Sequence, residues 1–357
     1  MQLPRLSPGP NWKADFMDVS VKADAPICTL TLEDMAALCC RALRKAGAAR
    51  PVAEAVARSI TKAERDGSVS HGFFRLQGFI ASLQSGKVSG DAAPLLSRPA
   101  ASVLLCDAQT LPAPYALELA MPELIAIARD SGMAALVMRN SAHFAALWPE
   151  VEMLAEAGLV GLACTTYLPA VAPFGAREKL FGTNPLAFAW PRPGKAPMVF
   201  DMATSARALG DVQLAARAGH QLDPGVGLTA AGDPTCDPNE VLAGSLLPFG
   251  GYKGAALSLM IELVAGALLG QKGSASTAES DNRDGGPPPR GELILAFDPE
   301  ALSGGQWQEE AERLFARLEG QPGLRLPGAR RHQNRATTTE VRVDPALLAT
   351  IRAFCES

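Results

Sequence analysis

"MAALVMRNSAHFAALWPEVEMLAEAGLVGLACTTY", residues 133–167, places two apolar runs of strand length on either side of one helical segment. "MAALVMRN" and "LVGLACTTY" are bounded by Asn and Gly, as buried strands are. "WPEVEMLAEAG" (148–158) has helical apolar spacing and a proline in its first turn. Runs of the same kind return downstream as "LAFAWP", "APMVFDM" and "GELILAFDP" (291–299). Strands alternating with helices and separated by Gly, Pro and Asn turns predict an α/β fold.

Outward from that core the pattern is helical. "TLEDMAALCCRALRKAGA" (31–48) opens with Thr31 and Asp34 in capping-box spacing, and "PVAEAVARSITKAERDG" (51–67) puts Pro51 in its first turn and Gly67 beyond its end. "FFRLQGFIASLQSGKV" (73–88) reads as a third helix, and "PYALELAMPELIAIARDSG" (114–132) as a fourth that Pro122 should kink or divide. "WQEEAERLFARLEG" (307–320) is helical again. "GAALSLMIELVAGALLG" (254–270) carries Glu262 and is shorter than the roughly 20 apolar residues that cross a bilayer, so a buried helix is expected there and no membrane. Residues 1–26 read as an irregular arm, and 273–290, with almost nothing to bury, as a mobile loop.

The chain has 357 residues, of which 48% are hydrophobic and 20% charged, enough for a large core. A net charge of −4 with scattered basic residues argues against nucleic acid as a partner. The opening residues, with two prolines among the first nine and no apolar stretch, do not read as a secretory signal. Seven cysteines without a CxxC pair or a Cys/His metal spacing suggest reduced thiols, a cytoplasmic protein and no metal.

Chemistry concentrates in "DGSVSHGFFRLQGF" (66–79). Ser70, His71 and Arg75 there combine a hydroxyl, a group that titrates near neutrality and a planar fork for carboxylates. The plain alternative is a helix boundary with a cap, a satisfied histidine and an ion pair. "NSAHFAALWPE" (140–150) adds His143, and "FGTNPLAFAWP" (181–191) offers Thr183 and Asn184 as caps or anion contacts. Asp211 falls inside a helix, where a lone carboxylate is usually solvated. "LLPFGGYKGAALSLM" (246–260) sets Lys253 behind a glycine turn at a helix start, the best phosphate candidate by pattern. No G-x-G-x-x-G links a strand to a helix and no Walker A sequence is present, so a nucleotide would be held some other way.

Taken in order, "SHGFFRL", "NSAHFAALWPEVEMLAEAGLVGLACT", "VAPFGAREKLFGTNPLAFAWP", "FDMATS", "DPTCDP", "LLPFGGYKGAALSLMIELVAG" and "RLPGARR" resemble the malate/L-lactate dehydrogenase family of the non-Rossmann type over residues 30–340. Within it, "HFAALWPE", "GDVQLAARAG" and "GGYKGAALSLMIEL" are most similar to the Δ1-piperideine-2-carboxylate/Δ1-pyrroline-2-carboxylate reductases. The resemblance implies a homodimer, a helical N-terminal region (27–132), a cofactor domain on a largely antiparallel sheet (133–300) and a C-terminal helical region (301–357) packing back on the N-terminal part. It implies a proton relay of Ser70, His71 and Asp211, and substrate contacts from Arg75, Thr183 and His143, the last matching a proton acceptor of some members. It further implies cofactor contacts from Asp201, Met202 and Ala203, from Tyr252 and Lys253, and from Pro327, Gly328, Ala329, Arg330, Arg331, His332 and Gln333.

These residues lead to an expected NAD(P)H-dependent reductase of cyclic ketimine carboxylates. Arg75 would clamp the carboxylate, and Asp211 would keep His71 cationic as the acid. Arginines in "SARA" (205–208) and at 330–331 favour NADPH, with NADH possible. A 2-hydroxy-acid dehydrogenase is the alternative inside the family. A Ser-His-Asp hydrolase lacks a G-x-S-x-G elbow, and a catalytically dead binding module is disfavoured because every polar position is filled.

Overall fold

The computed structural model describes residues 28–357, so the arm read over 1–26 lies outside the described residues. Strand β1 (Cys28–Thr31) leads into α1 (Leu32–Lys45), where the Thr31 hydroxyl accepts from the Asp34 N–H at 3.0 Å, the cap that the spacing predicts. Helix α2 (Arg50–Arg65) follows, with Pro51 in its first turn, and Gly67 takes a left-handed φ of 78° beyond its end. The third helix, α3, is shorter than expected, Leu76–Gln84. Two 3₁₀ turns, Val69–His71 and Phe73–Arg75, precede it and meet at Gly72. A Cβ on Gly72 would run into Glu64, whose carboxylate accepts from the Phe73 N–H at 2.8 Å.

Next comes a hairpin that the sequence did not disclose, β2 (Leu95–Ala100) and β3 (Val103–Asp107). Every residue of β2 is exposed, so it carries no alternation to read, and Pro99 is tolerated because β2 is an edge strand. Helix α4 (Ala113–Ser131) runs undivided through Pro122. The expected core follows: β4 (Met133–Ser141), α5 (Trp148–Glu156), β5 (Val160–Thr165), β6 (Leu186–Trp190) and β7 (Met198–Met202). Helices α6 (Leu209–Ala218) and α7 (Tyr252–Ile261), β8 (Arg290–Phe297), α8 (Trp307–Glu319), α9 (Ala329–Thr337), β9 (Glu340–Val343) and α10 (Pro345–Glu356) complete the larger elements.

The main sheet has the order β2-β3-β4-β8-β5-β6-β7, and only the β3–β4 pairing is parallel. It is a mixed, mostly antiparallel sheet. Helices α4 and α5 cover it through Leu117, Met121, Leu124, Trp148, Val151 and Leu154. A second core joins the two ends of the chain: β1 pairs with β9, and Leu347, Leu348 and Ile351 of α10 pack with α1, α2 and α3.

Two expectations need correction. The 254–270 segment is not a buried helix. After Ile261 it passes through a π turn (Glu262–Gly266) and a 3₁₀ turn (Ala267–Leu269), and Leu259, Met260, Leu263 and Leu268 are exposed. Apolar composition without a one-sided stripe did not say which face is covered. The 273–290 segment is not free of packing: Ser274, Thr277 and Pro287 are buried, and Lys87 pairs with Asp281 at 3.0 Å and with Asp284 at 2.5 Å. These nearly buried ion pairs fix the position of a segment that buries little apolar surface.

Candidate active site

Between the helical core and the sheet lies a cavity of about 270 Å³. Ser70, His71, Arg75, His143, Thr183, Asp201, Met202, Ala203, Asp211, Arg330 and Arg331 all line it, though they come from six separated segments. The first wall is fixed at Asp66, which is fully buried and pairs at 2.7 Å with both Arg65 and Arg335 of α9. From there the chain turns at Gly67 into the two 3₁₀ turns, which present Ser70, His71 and Arg75 within six residues.

Arg75 is held from several sides. Its Nε donates to the Ser70 carbonyl at 2.7 Å, its Nη1 donates to Gln213 at 3.4 Å, and its guanidinium lies 4.6 Å from the centre of the Phe144 ring. It is only 7% exposed and has no carboxylate partner among the described residues. A buried, preorganised cation without a counterion is an anion site. Helix α6 comes this close only because residue 210 is glycine: a Cβ there would stand 2.5 Å from Arg75 Nη2.

His71 Nδ1 lies 3.3 Å from Ser70 Oγ. Burial pushes the imidazole pKa down to about 3, with help from the positive charge of Arg75. His71 is therefore neutral here, and the expectation that Asp211 keeps it cationic is not met. Asp211, in the first turn of α6, shares the cavity wall, but its charge acts on Arg75. The physical reason is burial first, which disfavours the charged imidazole, and then the guanidinium four residues along the chain.

Asn184 sits buried with a φ of 36°, donates to the Ser258 carbonyl and to Glu262, and accepts from the Tyr167 N–H. It is a structural knot that leaves its neighbour Thr183 facing the cavity. Asp201 accepts from the Leu147 and Trp148 N–H groups at 2.8 and 3.0 Å, so its carboxylate anchors the start of α5. Its neighbours Met202 and Ala203 line the wall at the end of β7.

A second hollow of about 260 Å³ adjoins the first, sharing Asp201, Arg330 and Arg331 and adding Arg325, Pro327 and Gly328. Arg330 and Arg325 are exposed and pair with no carboxylate among the described residues. Arg331 stacks on Trp148 and donates to the Val199 carbonyl at 2.8 Å. Ala329 begins α9, His332 meets the Pro197 carbonyl at 2.8 Å, and Gln333 lies on the exposed side of that helix. Tyr252 and Lys253 lie at the start of α7, outside both hollows, with Tyr252 exposed against Phe174.

Sequence reasoning missed four side chains here. Tyr167 and Arg290 line the cavity, with the Arg290 guanidinium 4.8 Å above the Tyr167 ring. Glu150 and Glu292 meet His143 behind the wall. The available signal was charge in apolar surroundings: Arg290 and Glu292 sit two apart, on one face of a strand that is otherwise apolar.

The malate/L-lactate dehydrogenase pattern matches residues 30–352. A Δ1-pyrroline-2-carboxylate reductase of Ancylobacter novellus is 45% identical over 336 residues, 93% of this chain and 98% of that protein. A Δ1-pyrroline-2-carboxylate/Δ1-piperideine-2-carboxylate reductase of Pseudomonas aeruginosa is 44% identical, covering 86% of this chain and 92% of that one. The crystal structure of a Δ1-piperideine-2-carboxylate reductase from Pseudomonas syringae pv. tomato superposes with a TM-score of 0.86 at 42% identity, covering 92% of this chain and 99% of that one.

Proposed function

The chain belongs to the malate/L-lactate dehydrogenase family, and from that premise we propose that it is an NAD(P)H-dependent reductase of cyclic ketimine carboxylates, giving L-proline or L-pipecolate. The observation that carries the reading is Arg75, a buried guanidinium with no carboxylate in salt-bridge contact among the described residues, one short turn from a half-buried neutral imidazole.

The substrate carboxylate binds the free edge of Arg75, which fixes the C=N carbon within the cavity. Holding reacting partners in one geometry supplies several kcal/mol of a barrier. Pairing that carboxylate with Arg75 also cancels the charge that helps depress His71, so the histidine pKa rises as substrate binds. His71, oriented by Ser70, then holds a proton at the imine nitrogen. The nicotinamide, when bound, supplies the hydride to the carbon. The second hollow fits that group: Arg325 and Arg330 flank it as unpaired cations suited to phosphate, and Pro327 and Gly328 bring backbone close. A lone 2′-phosphate beside two free arginines favours NADPH. Arg330→Ala with Arg325→Ala should raise the KM for NADPH roughly 10-fold or more and leave that for NADH nearly unchanged. Initial rates with both cofactors check this, and an equal change in the two would place the discriminating phosphate elsewhere.

The exposed apolar face of Leu259, Met260, Leu263 and Leu268 supports a homodimer, with a second copy covering it. The free thiols of all seven cysteines fit a cytoplasmic setting.

A second reading has an observation of its own. A neutral His71 is a ready base towards a hydroxyl, as oxidation of a 2-hydroxy acid requires. Comparing kcat/KM for Δ1-pyrroline-2-carboxylate and Δ1-piperideine-2-carboxylate reduction with that for malate and lactate oxidation separates the two. Preference for the imines supports the proposal, and preference for the hydroxy acids overturns it while leaving the fold untouched.

A further inference from the structure

Behind the cavity wall is a group of titratable side chains that the mechanism above does not use. His143, in the turn after β4, sets Nε2 3.3 Å from Glu150 Oε1 of α5 and 3.8 Å from Glu292 Oε2 of β8. The three residues are 3%, 4% and 0% exposed. Glu150 Oε2 and both oxygens of Glu292 have no hydrogen-bond partner among the described residues. One imidazole nitrogen serves only one acceptor well. Two ionised carboxylates at this separation in a dry interior repel each other and lose hydration that nothing replaces. A proton on one of them turns a bare acceptor into a donor and removes the repulsion.

We infer that Glu150 and Glu292 hold a proton between them and, through His143, form a buried proton store for the active-site cavity, acting as positioning residues of the reduction. Of the three only His143 lines the cavity. The titratable and charged groups facing it are Arg290 on β8, Asp201 on β7, Lys62 on α2 and the neutral His71 across the cavity. Burial pushes Glu292 up to about 8 and Glu150 well above the carboxylate range, while it holds His143 neutral.

With a carboxyl O–H donating to Nε2, the imidazole carries its own proton on Nδ1. When that proton passes to the cavity, the carboxyl proton moves to Nε2 and leaves a carboxylate beside the Arg290 guanidinium. Uptake of one proton from solvent restores the store, so one proton leaves and one enters per turnover. Use of the stored proton rests on the reductase reading, in which the imine nitrogen gains one proton. Its storage does not.

The three groups also bring ligand-type atoms within 4.8 Å of one another, the spacing of a metal site. Arg290 beside them opposes a divalent cation, and elemental analysis of the purified protein should find no stoichiometric metal.

The test is infrared spectroscopy of the whole protein as pH is raised, on the parent, Glu292→Gln and Glu150→Gln. The parent should show a buried carboxylic C=O band at neutral pH that disappears as pH passes about 8, and Glu292→Gln should lack that titrating band. Because the folded pKa of Glu292 lies above its ordinary value of 4.5, the folded state binds more protons between about 5 and 8, and stability is lost as pH rises through that window. The fall of Tm over that range should therefore be shallower in Glu292→Gln. The same variant should lose the limb near pH 8 in kcat/KM for imine reduction. Absence of a carboxylic band in the parent, a band unchanged in both Gln variants, an unaltered pH limb, or a stoichiometric metal overturns the inference. Should Glu292→Gln fail to fold, the parent titration and Glu150→Gln decide it. An enzyme inactive on imines that keeps the titrating band would fault the reductase reading and leave the proton store standing.

Discussion

Arg75→Lys should raise the KM for the ketimine carboxylate about 10- to 100-fold while leaving cofactor binding nearly unchanged. Lysine keeps the charge and loses what the site uses. Its ammonium has no planar fork for a carboxylate, no Nε to donate to the Ser70 carbonyl, and no flat face for the Phe144 ring. The free edge of Arg75 is also placed by the absence of a side chain at Gly210, which lysine would leave as a gap. Because Arg75 is buried, some stability will go with it, so the decisive comparison is KM for the substrate against Kd for the nicotinamide. A loss shared equally by both would show a general disturbance, and an unchanged substrate KM would remove Arg75 from the clamp.

His71→Asn should lower kcat for reduction about 100- to 1,000-fold with little change in either Kd. Its second consequence concerns protons. In the parent, burial and Arg75 hold His71 down at about 3, and a bound carboxylate answers the Arg75 charge. The His71 pKa is then higher in the complex than in the free protein, so binding a non-reacting carboxylate, such as the product L-proline, takes up protons at pH values between the two. Calorimetry in buffers of different ionisation enthalpy reads that uptake directly. It should be present in the parent, fade as pH rises beyond the bound-state pKa, and be lost in His71→Asn. Uptake that persists in the variant would assign the proton to another group.

What could be read from the chain follows from how local each cause is. The Thr31 cap, Pro51 and the strand and helix runs of 133–167 depend on neighbours within four residues, and they fold as their spacing predicts. Strand β2 was invisible because an exposed edge strand has no buried face to write into the sequence, whereas β3 carries a short apolar run with alternating burial that went unread. Order in 273–290 rests on Lys87, about two hundred residues away, and no composition rule sees that partner. The candidate site divides in the same way. Ser70, His71 and Arg75 stood out because they are adjacent, and the structure puts Asp211 and Thr183 on the same cavity. The sign of the charge on His71 was misjudged, because its dry surroundings, and after them the Arg75 charge, disfavour the cation. Glu150 and Glu292 belong to a helix and a strand far apart in sequence, and only the packed sheet brings them to one imidazole.

The central claim is that a nicotinamide hydride reaches the imine carbon of a carboxylate held by Arg75. Incubation of the enzyme with Δ1-pyrroline-2-carboxylate and NADPH deuterated on its transferable position, followed by mass and NMR analysis of the product, tests it most directly. The account predicts L-proline carrying one deuterium at C2 in the parent, with formation strongly slowed in Arg75→Lys at subsaturating substrate. Proline without deuterium at C2, or no proline alongside ready reduction of a 2-oxo acid to its hydroxy acid, would contradict it.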